Sequence, residues 1–340
     1  MSLAFMRPVK REDFDAILAL AKQSGGGMTN LPSDPDALRS RVNFAADSFA
    51  ANADGPNGEV YTMVLDIDGK VMGLSAVFSA VGLDYGFVNY RINRTVHVSK
   101  QLKKRFERRL LVPTHDFSGC AEVGSLFLSP EARGGGFGKF LSKARYLFIA
   151  NHRKLVADPV CAELRGWRAP DGKQPFWESL GKLFFDMEFE DADLANSAMG
   201  NQIISDLLPR HPIYVALLPE EAKECLGKPH DSAAPAYKML LKEGFAFHGY
   251  IDVFDGGPLV DARIDDIKTV KDSKVYKAEI GDPGTDAKAA PEQLMAAGYL
   301  QAFRVTRGPG KIDGDVMTIS AEAARALGVK AGDELRAVKW

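Results

Sequence analysis

Cysteine is scarce in this chain: Cys120, Cys161 and Cys225 are the only three in 340 residues, and their spacings are long. An odd, scattered set excludes a disulfide scaffold and a paired-cysteine zinc site, and it suits a reducing cytoplasm. An excess of either charge is also missing. Lys and Arg number 43 and Asp and Glu 45, for a net charge of −2. A dedicated nucleic-acid binder usually carries a basic excess, so that class is disfavoured. No apolar run approaches the ~18 residues of a membrane span. The amino terminus, MSLAFMRPVKREDF, soon turns charged, so no secretory signal is expected. What remains is an ordinary globular composition, 46% hydrophobic and 26% charged, sufficient for a core. At roughly 150 residues per domain, this length suggests about two domains or one elaborated α/β domain.

Along the chain, LAFMRPV reads as a strand. EDFDAILALAKQ follows as a helix with Phe14, Ile17, Leu18 and Ala21 on one face, capped by Asp13 or the preceding turn. Ser24-Gly25-Gly26-Gly27 ends it. DALRSRVNFAADSFA reads as a second helix. EVYTMVLDID and KVMGLSAVFSAVG, joined at Asp68-Gly69, predict a hairpin. The basic cluster SKQLKKRFERRL, within 83–119, reads as the solvated face of a helix. LVADPVCAELRG predicts a strand. PFWESLGKLFF and PAYKMLLKEGF echo each other and predict two similar helix-to-strand transitions. HGYIDVFD reads as a strand. After about residue 262 the composition shifts. IKTVKDSKVYKAEIGD and LQAFRVTRGPG look like strands and GDPGTDAKAAPEQ like an exposed loop. GDVMTISAEAARALGVKAGDELRAVKW reads as strand, short helix, turn and strand. This predicts a small β-rich module over 263–340, with a structural or assembly role preferred over DNA binding because its charge is not strongly basic.

The most informative stretch is AEVGSLFLSPEARGGGFGKFLSKARYLFIANHRK, residues 121–154. A strand, Glu122 to Leu128, ends at Ser129-Pro130. A glycine turn follows, then a helix with Phe140, Leu141, Ala144, Leu147 and Phe148 at helical spacing. Strand, glycine turn and helix together can hold a phosphate. The first helical turn has unpaired N–H groups, and glycine lets the anion approach the backbone. The nucleoside triphosphate loop requires Ser or Thr after its Lys; here Phe140 follows Lys139, so that pattern fails. The dinucleotide fingerprint does not fit Gly134-Gly135-Gly136-Phe137-Gly138 either. The pattern that fits is Arg133, two residues, Gly136, one residue, Gly138. It resembles the pyrophosphate loop of the GNAT acyl-CoA N-acyltransferase superfamily.

The chain further resembles the arginine N-succinyltransferases, including the subunits of arginine/ornithine succinyltransferase. The matching stretches are GGGMTNLP (25–32), GSLFLSPEAR (124–133), GFGKFLSKARYLF (136–148), AELRG (162–166), PFWESLGKLFFDMEF (175–189), HPIYVALLP (211–219) and EGFAFHGYIDVFDGGP (243–258). The resemblance implies an α/β (α+β) fold with a GNAT-like mixed central sheet flanked by helices. The acyltransferase domain would span 1–262, with an elaborated insertion at 166–230. The implied activity is transfer of succinyl from succinyl-CoA to the α-amino group of L-arginine, the first step of arginine degradation. Succinyl-CoA would be a cosubstrate; no permanently bound cofactor and no metal are implied. No nucleic-acid or membrane partner is expected, the location would be cytoplasmic, and a homo-oligomer or a hetero-oligomer with a paralogous subunit is implied.

Residue by residue, Leu126 matches the family's acyl-CoA-binding position and His230 its proton-donor histidine. The family has a Thr shortly after that His; here Ser232 and Ala233 stand there. Expected cofactor-binding residues are Leu126, Phe127, Leu128, Arg133, Gly134, Gly135, Gly136, Phe137 and Gly138. Backbone N–H groups at Leu126 to Leu128 suit an oxyanion hole. A histidine suits proton transfer near neutral pH. The succinyl carboxylate calls for Arg, with Arg165 and Arg168 as candidates. The guanidinium of the acceptor calls for a carboxylate, with Glu122, Glu163, Asp252 and Asp255 all open. His97, His115, His152, His211 and His248 are read as structural or surface residues. The three cysteines are read as buried small hydrophobes.

Overall fold

The computed structural model describes residues 3–24, 30–192, 195, 206–284 and 288–340. The glycines read as the stop of the first helix, most of GGGMTNLP and part of the loop after residue 281 lie outside the described residues. The chain forms two compact units: residues 1–79, 121–158 and 263–340, and residues 80–120 and 159–262.

In the first unit, β1 (Ala4–Pro8) pairs antiparallel with β2 (Val60–Ile67), and β2 with β3 (Lys70–Phe78). Asp68 and Gly69 both have positive φ, the conformation that a tight hairpin needs and the Asp-Gly pair supplies. β3 pairs with β6 (Ala121–Leu128). Side chains alternate across this sheet. Val64 and Leu74 join the core of α1 (Phe14–Gln23) and α2 (Pro35–Ala50), with Ile17, Leu38 and Val42. On the other parity, the Ser75 hydroxyl donates to Leu141 O in α3 (Phe137–Asn151), and the Tyr61 ring lies 4.8 Å from Phe148. All five α3 positions picked for helical spacing are buried. Asp13 does not cap α1. Its carboxylate instead binds Arg7 at 2.7 and 2.9 Å and accepts the Lys10 N–H, because a buried guanidinium needs it more. Leu20, not Leu18, is buried with Phe14, Ile17 and Ala21.

The C-terminal strands of this unit close on themselves. β11 (Lys274–Ile280) pairs parallel with β14 (Val316–Ile319) and antiparallel with β15 (Glu334–Lys339). β12 (Glu292–Ala297) pairs with β15 and with β13 (Arg304–Asp313), and β13 pairs with β14. Five strands thus form a closed barrel over Met295, Met317, Ile319 and Leu335, plugged by the short helix Ala321–Leu327. The strand, helix, turn and strand order read from the last residues is what folds. Three readings here are corrected. LQAFRVTRGPG opens with a 3-10 turn over Leu300–Ala302, and its strand begins at Arg304. IKTVKDS opens with a helix over Lys268–Asp272 before β11. Glu292 and Gln293 belong to β12 rather than to a loop.

The second unit has the strand order Val160–Glu163, Pro258–Ala262, Ala246–Ile251, Asn89–Ser99, Lys104–Thr114 and Ile213–Tyr214. β4 (Asn89–Ser99) and β5 (Lys104–Thr114) form a long hairpin in continuous register, from Asn89 opposite Thr114 to Ser99 opposite Lys104. The basic cluster is therefore the tip of a β-hairpin and not a helix face. Both faces of its tip are exposed, so side-chain polarity there carries no period. β7 is only Val160–Glu163; it pairs with β10 (Pro258–Ala262), and β10 with β9 (Ala246–Ile251). β8 (Ile213–Tyr214) edges β5. Tyr90, Leu111, Trp177, Ile251 and Cys225 form the core. The two echoing segments are both helical, but only the helix Ala234–Glu243 leads into a strand. The first runs through a π turn, Trp177–Gly181, and Lys182–Phe185 into another helical start at Phe189.

Candidate active site

The strand carrying Leu126 is broken where chemistry would need it broken. Leu128 and Phe127 face Gly73 and Leu74, but Gly124 faces Ala76, so Ser125 and Leu126 together stand opposite Ser75. This is a β-bulge, and Ser125 sits at φ +51°. A bulge takes backbone out of the regular ladder, and strained conformations of this kind cluster at functional sites. The amides around Leu126 are thus candidates for an oxyanion.

Beyond Ser129 the chain turns through the glycine loop. Gly134 and Gly136 have φ of +95° and +76°, which favour glycine. Gly136 precedes the first residue of α3. No side chain caps that helix, and its first turn has no acidic residue. The opening of α3 therefore presents unpaired N–H groups and a partial positive charge. Arg133 and Lys139 are exposed beside it. The barrel adds to the same place: Arg307 Nη1 donates to Gly135 O at 3.3 Å, and Lys139 Nζ lies 4.0 Å from the Trp340 ring centre.

A cavity of about 340 Å³ opens between α1, α2 and the sheet, with Asn30, Phe78 and Ser125 in its lining. Glu122 stands behind this wall. A Cβ placed on Gly124 would meet Phe78, Glu122 Oε1 and Asn30 Nδ2 within 3.1–3.6 Å. Glu122 is buried, and burial pushes its carboxyl up to about 7 against the pull of Arg145.

His230 belongs to the second unit, just before the helix Ala234–Glu243. The Ser232 N–H donates to His230 Nδ1 at 3.1 Å, and the Ser232 hydroxyl lies 2.7 Å from the same atom. Ser232 thus supplies a hydroxyl to hold the ring. An N–H aimed at Nδ1 marks that nitrogen as the acceptor and leaves the proton on Nε2. Burial, then Arg165 and Arg168, lower the His230 pKa, which favours the neutral ring.

The candidate carboxylates of this unit are engaged locally. Asp255 accepts from the Gly166 and Gly257 N–H groups at 2.6 and 2.8 Å, and Asp252 from those of Phe254 and Asp255. Glu163 accepts from Asn89 at 2.7 Å. With the Gln174 amide oxygen turned toward it, Arg168 donates at 3.0 and 2.7 Å. His152 is a core residue, its Nε2 accepting from the Leu300 N–H, with burial holding its pKa down at about 4. His248 pairs with Asp261 at 2.8 Å. All three cysteines are buried, and burial raises the Cys225 thiol to about 11, which keeps it unreactive.

Comparison with known proteins decides the family. A model described as arginine N-succinyltransferase beta subunit matches residues 4–269, and one described as its C-terminal domain matches 275–339. The arginine N-succinyltransferase subunit beta of Pseudomonas aeruginosa is 37% identical over 333 residues, covering 98% of this chain and 97% of that one. The chain belongs to the arginine N-succinyltransferase family. The Escherichia coli arginine N-succinyltransferase is 36% identical over 335 residues, covering 98% of this chain and 97% of its own. The solved structure of arginine/ornithine succinyltransferase subunit AI from P. aeruginosa superposes with a TM-score of 0.89 at 32% identity, covering 100% of this chain and 99% of that one.

As an arginine N-succinyltransferase family member, the chain is an acyl-CoA-dependent N-acyltransferase of the α/β class read from its sequence. The first unit brings together Leu126, Phe127, Leu128, Arg133 and the glycines through Gly138, while His230 stands in the second. Sequence reasoning missed the bulge at Ser125 and the contribution of Arg307 and Trp340. Ser-Leu-Phe-Leu carries no bulge signal. Arg307 lies far from the loop in sequence, and only the barrel's closure brings it there. No helix of the described residues is long and apolar enough to cross a membrane.

Proposed function

We propose that this chain transfers the succinyl group of succinyl-CoA to the α-amino group of L-arginine by direct attack on the thioester. The observation that carries this is the run from bulged strand through glycine loop to uncapped helix, in a chain that matches the family over nearly its whole length. The helix opening and Arg133 suit the diphosphate of CoA. The amides around Leu126 suit the oxyanion. The acceptor amine must lose a proton as its nitrogen forms the C–N bond. Glu122, with its carboxyl raised to about 7, suits accepting that proton. The C–S bond then breaks, and the departing thiolate takes its final proton from solvent. His230, with Nδ1 facing the Ser232 N–H, has its Nε2–H left to donate and suits a hydrogen-bonding role. Succinylarginine and free CoA result, without an acyl-enzyme.

Relatives named as subunits support reading this chain as part of a homo- or hetero-oligomer, which light scattering of the purified chain tests. The separate match of residues 275–339 supports the division near residue 262. The activity is tested by thiol release from succinyl-CoA. Release is expected to require L-arginine and to collapse in His230→Ala. Release with acetyl-CoA or another amine instead would move the specificity, and CoA binding without any release would overturn catalysis.

A further inference from the structure

The α2 helix carries a charge where its pattern calls for an apolar residue. Leu38, Arg41, Val42 and Ala45 share one face by helical spacing, and the other three are buried in the core with α1 and the sheet. Arg41 is half-buried and lines the 340 Å³ cavity of the first unit. Among the described residues no carboxylate pairs with it. The rest of the wall is largely apolar, with Ile17, Leu31 and Leu74, and it includes Ser125, the bulge residue next to Leu126. A guanidinium so placed is expensive to desolvate unless something anionic meets it. The cavity is thus mostly apolar with one cationic side chain, and the acyl-CoA strand is in its wall.

We infer that this cavity is the acyl pocket, that its apolar wall packs the two methylenes of the succinyl group, and that Arg41 pairs with the terminal carboxylate. Arg41 is then the residue that selects a dicarboxylic acyl donor over a neutral one. Burial alone lowers the Arg41 pKa, with no carboxylate opposing it, as a guanidinium awaiting its anion requires. The assignment rests on the succinyl-transfer reading above.

The test compares succinyl-CoA with butyryl-CoA, which has the same four-carbon chain and a methyl in place of the carboxylate. In Arg41→Leu the KM for succinyl-CoA is expected to rise about 30-fold or more, as loss of a charge-assisted bidentate pair implies. The KM for butyryl-CoA and for L-arginine should stay within about threefold, which also shows that the variant is folded. Arg41→Lys, which keeps a cation, should fall between. An equal rise for both donors, or a rise confined to L-arginine, overturns the assignment. A wild-type chain that transfers no succinyl to L-arginine overturns the function itself, and the assignment with it. The first failure appears only in the variants and the second in the wild type, so the two are distinct.

Discussion

Ser232 aims its backbone N–H at Nδ1 of His230 from 3.1 Å and places its hydroxyl 2.7 Å from the same nitrogen. Two donors on one nitrogen fix the tautomer, and Nε2 becomes the only ring donor. Ser232→Ala keeps the backbone donor and removes the hydroxyl. Steady-state kinetics should show kcat lower by roughly 3- to 10-fold with both KM values little changed, against roughly 100-fold or more for His230→Ala. Ser232→Thr restores a hydroxyl and should recover most of the rate. A Ser232→Ala enzyme as fast as the wild type would remove the tautomer argument.

Much of this was legible in the sequence where pattern and physics coincide. The Asp68-Gly69 hairpin, the amphipathic α3 and the glycine loop each have a local cause, and each is where its signal put it. The short C-terminal helix between two strands was equally plain. The basic cluster failed because a hairpin tip exposed on both faces shows no alternation, and its Lys and Arg residues are at least as good in helices as in strands. Asp13 looked like a cap until Asp66, distant in sequence but on the neighbouring strand, joined it on Arg7. The bulge, the buried Glu122 and the cavity around Arg41 depend on long-range register and packing, which no local pattern encodes.

The raised carboxyl of Glu122 fixes the sign of a pH effect. Below about 7 the group is protonated and cannot take a proton from the amine; above it the carboxylate can. The value of kcat/KM should therefore rise with pH through about 7. Glu122→Gln should flatten that limb and lower the rate by roughly 100-fold. An unchanged acidic limb in Glu122→Gln would assign the titration to another group, the substrate amine included.

The Asp252 and Asp255 pair makes a second pH prediction, on stability. Burial pushes Asp252 up to about 8 and raises Asp255 as well. An unfolded Asp releases its proton near ~3.9. Between those values the folded state binds more protons, so stability falls as pH rises and is lowest once the folded pKa is passed. Asp252→Asn keeps an oxygen for the Phe254 and Asp255 N–H groups and removes that ionisation. The drop in Tm between about pH 6 and about pH 9 should be smaller in Asp252→Asn than in the wild type. Equal drops would show that the pair does not titrate in this range.

Gly138 separates the two meanings of a glycine in the loop. It lies in the first turn of α3, its φ is ordinary, and a Cβ there would touch nothing within 4 Å. Folding gives no reason for glycine at this position. Alanine is the better helix former, so Gly138→Ala should hold or raise stability, by up to about 1 kcal/mol. A bound diphosphate gives the opposite sign. The added methyl stands where the anion must approach the helix N–H groups, so the KM for succinyl-CoA should rise about tenfold while the KM for L-arginine does not. At Gly136, by contrast, φ is +76° and a Cβ would stand 3.0 Å from Arg307 Nη1, so Gly136→Ala should lose stability as well as affinity. Thermal melts and donor titrations on the two variants therefore discriminate cleanly. A Gly138→Ala enzyme that is no less avid for succinyl-CoA would mean that this end of the loop does not cradle the phosphates.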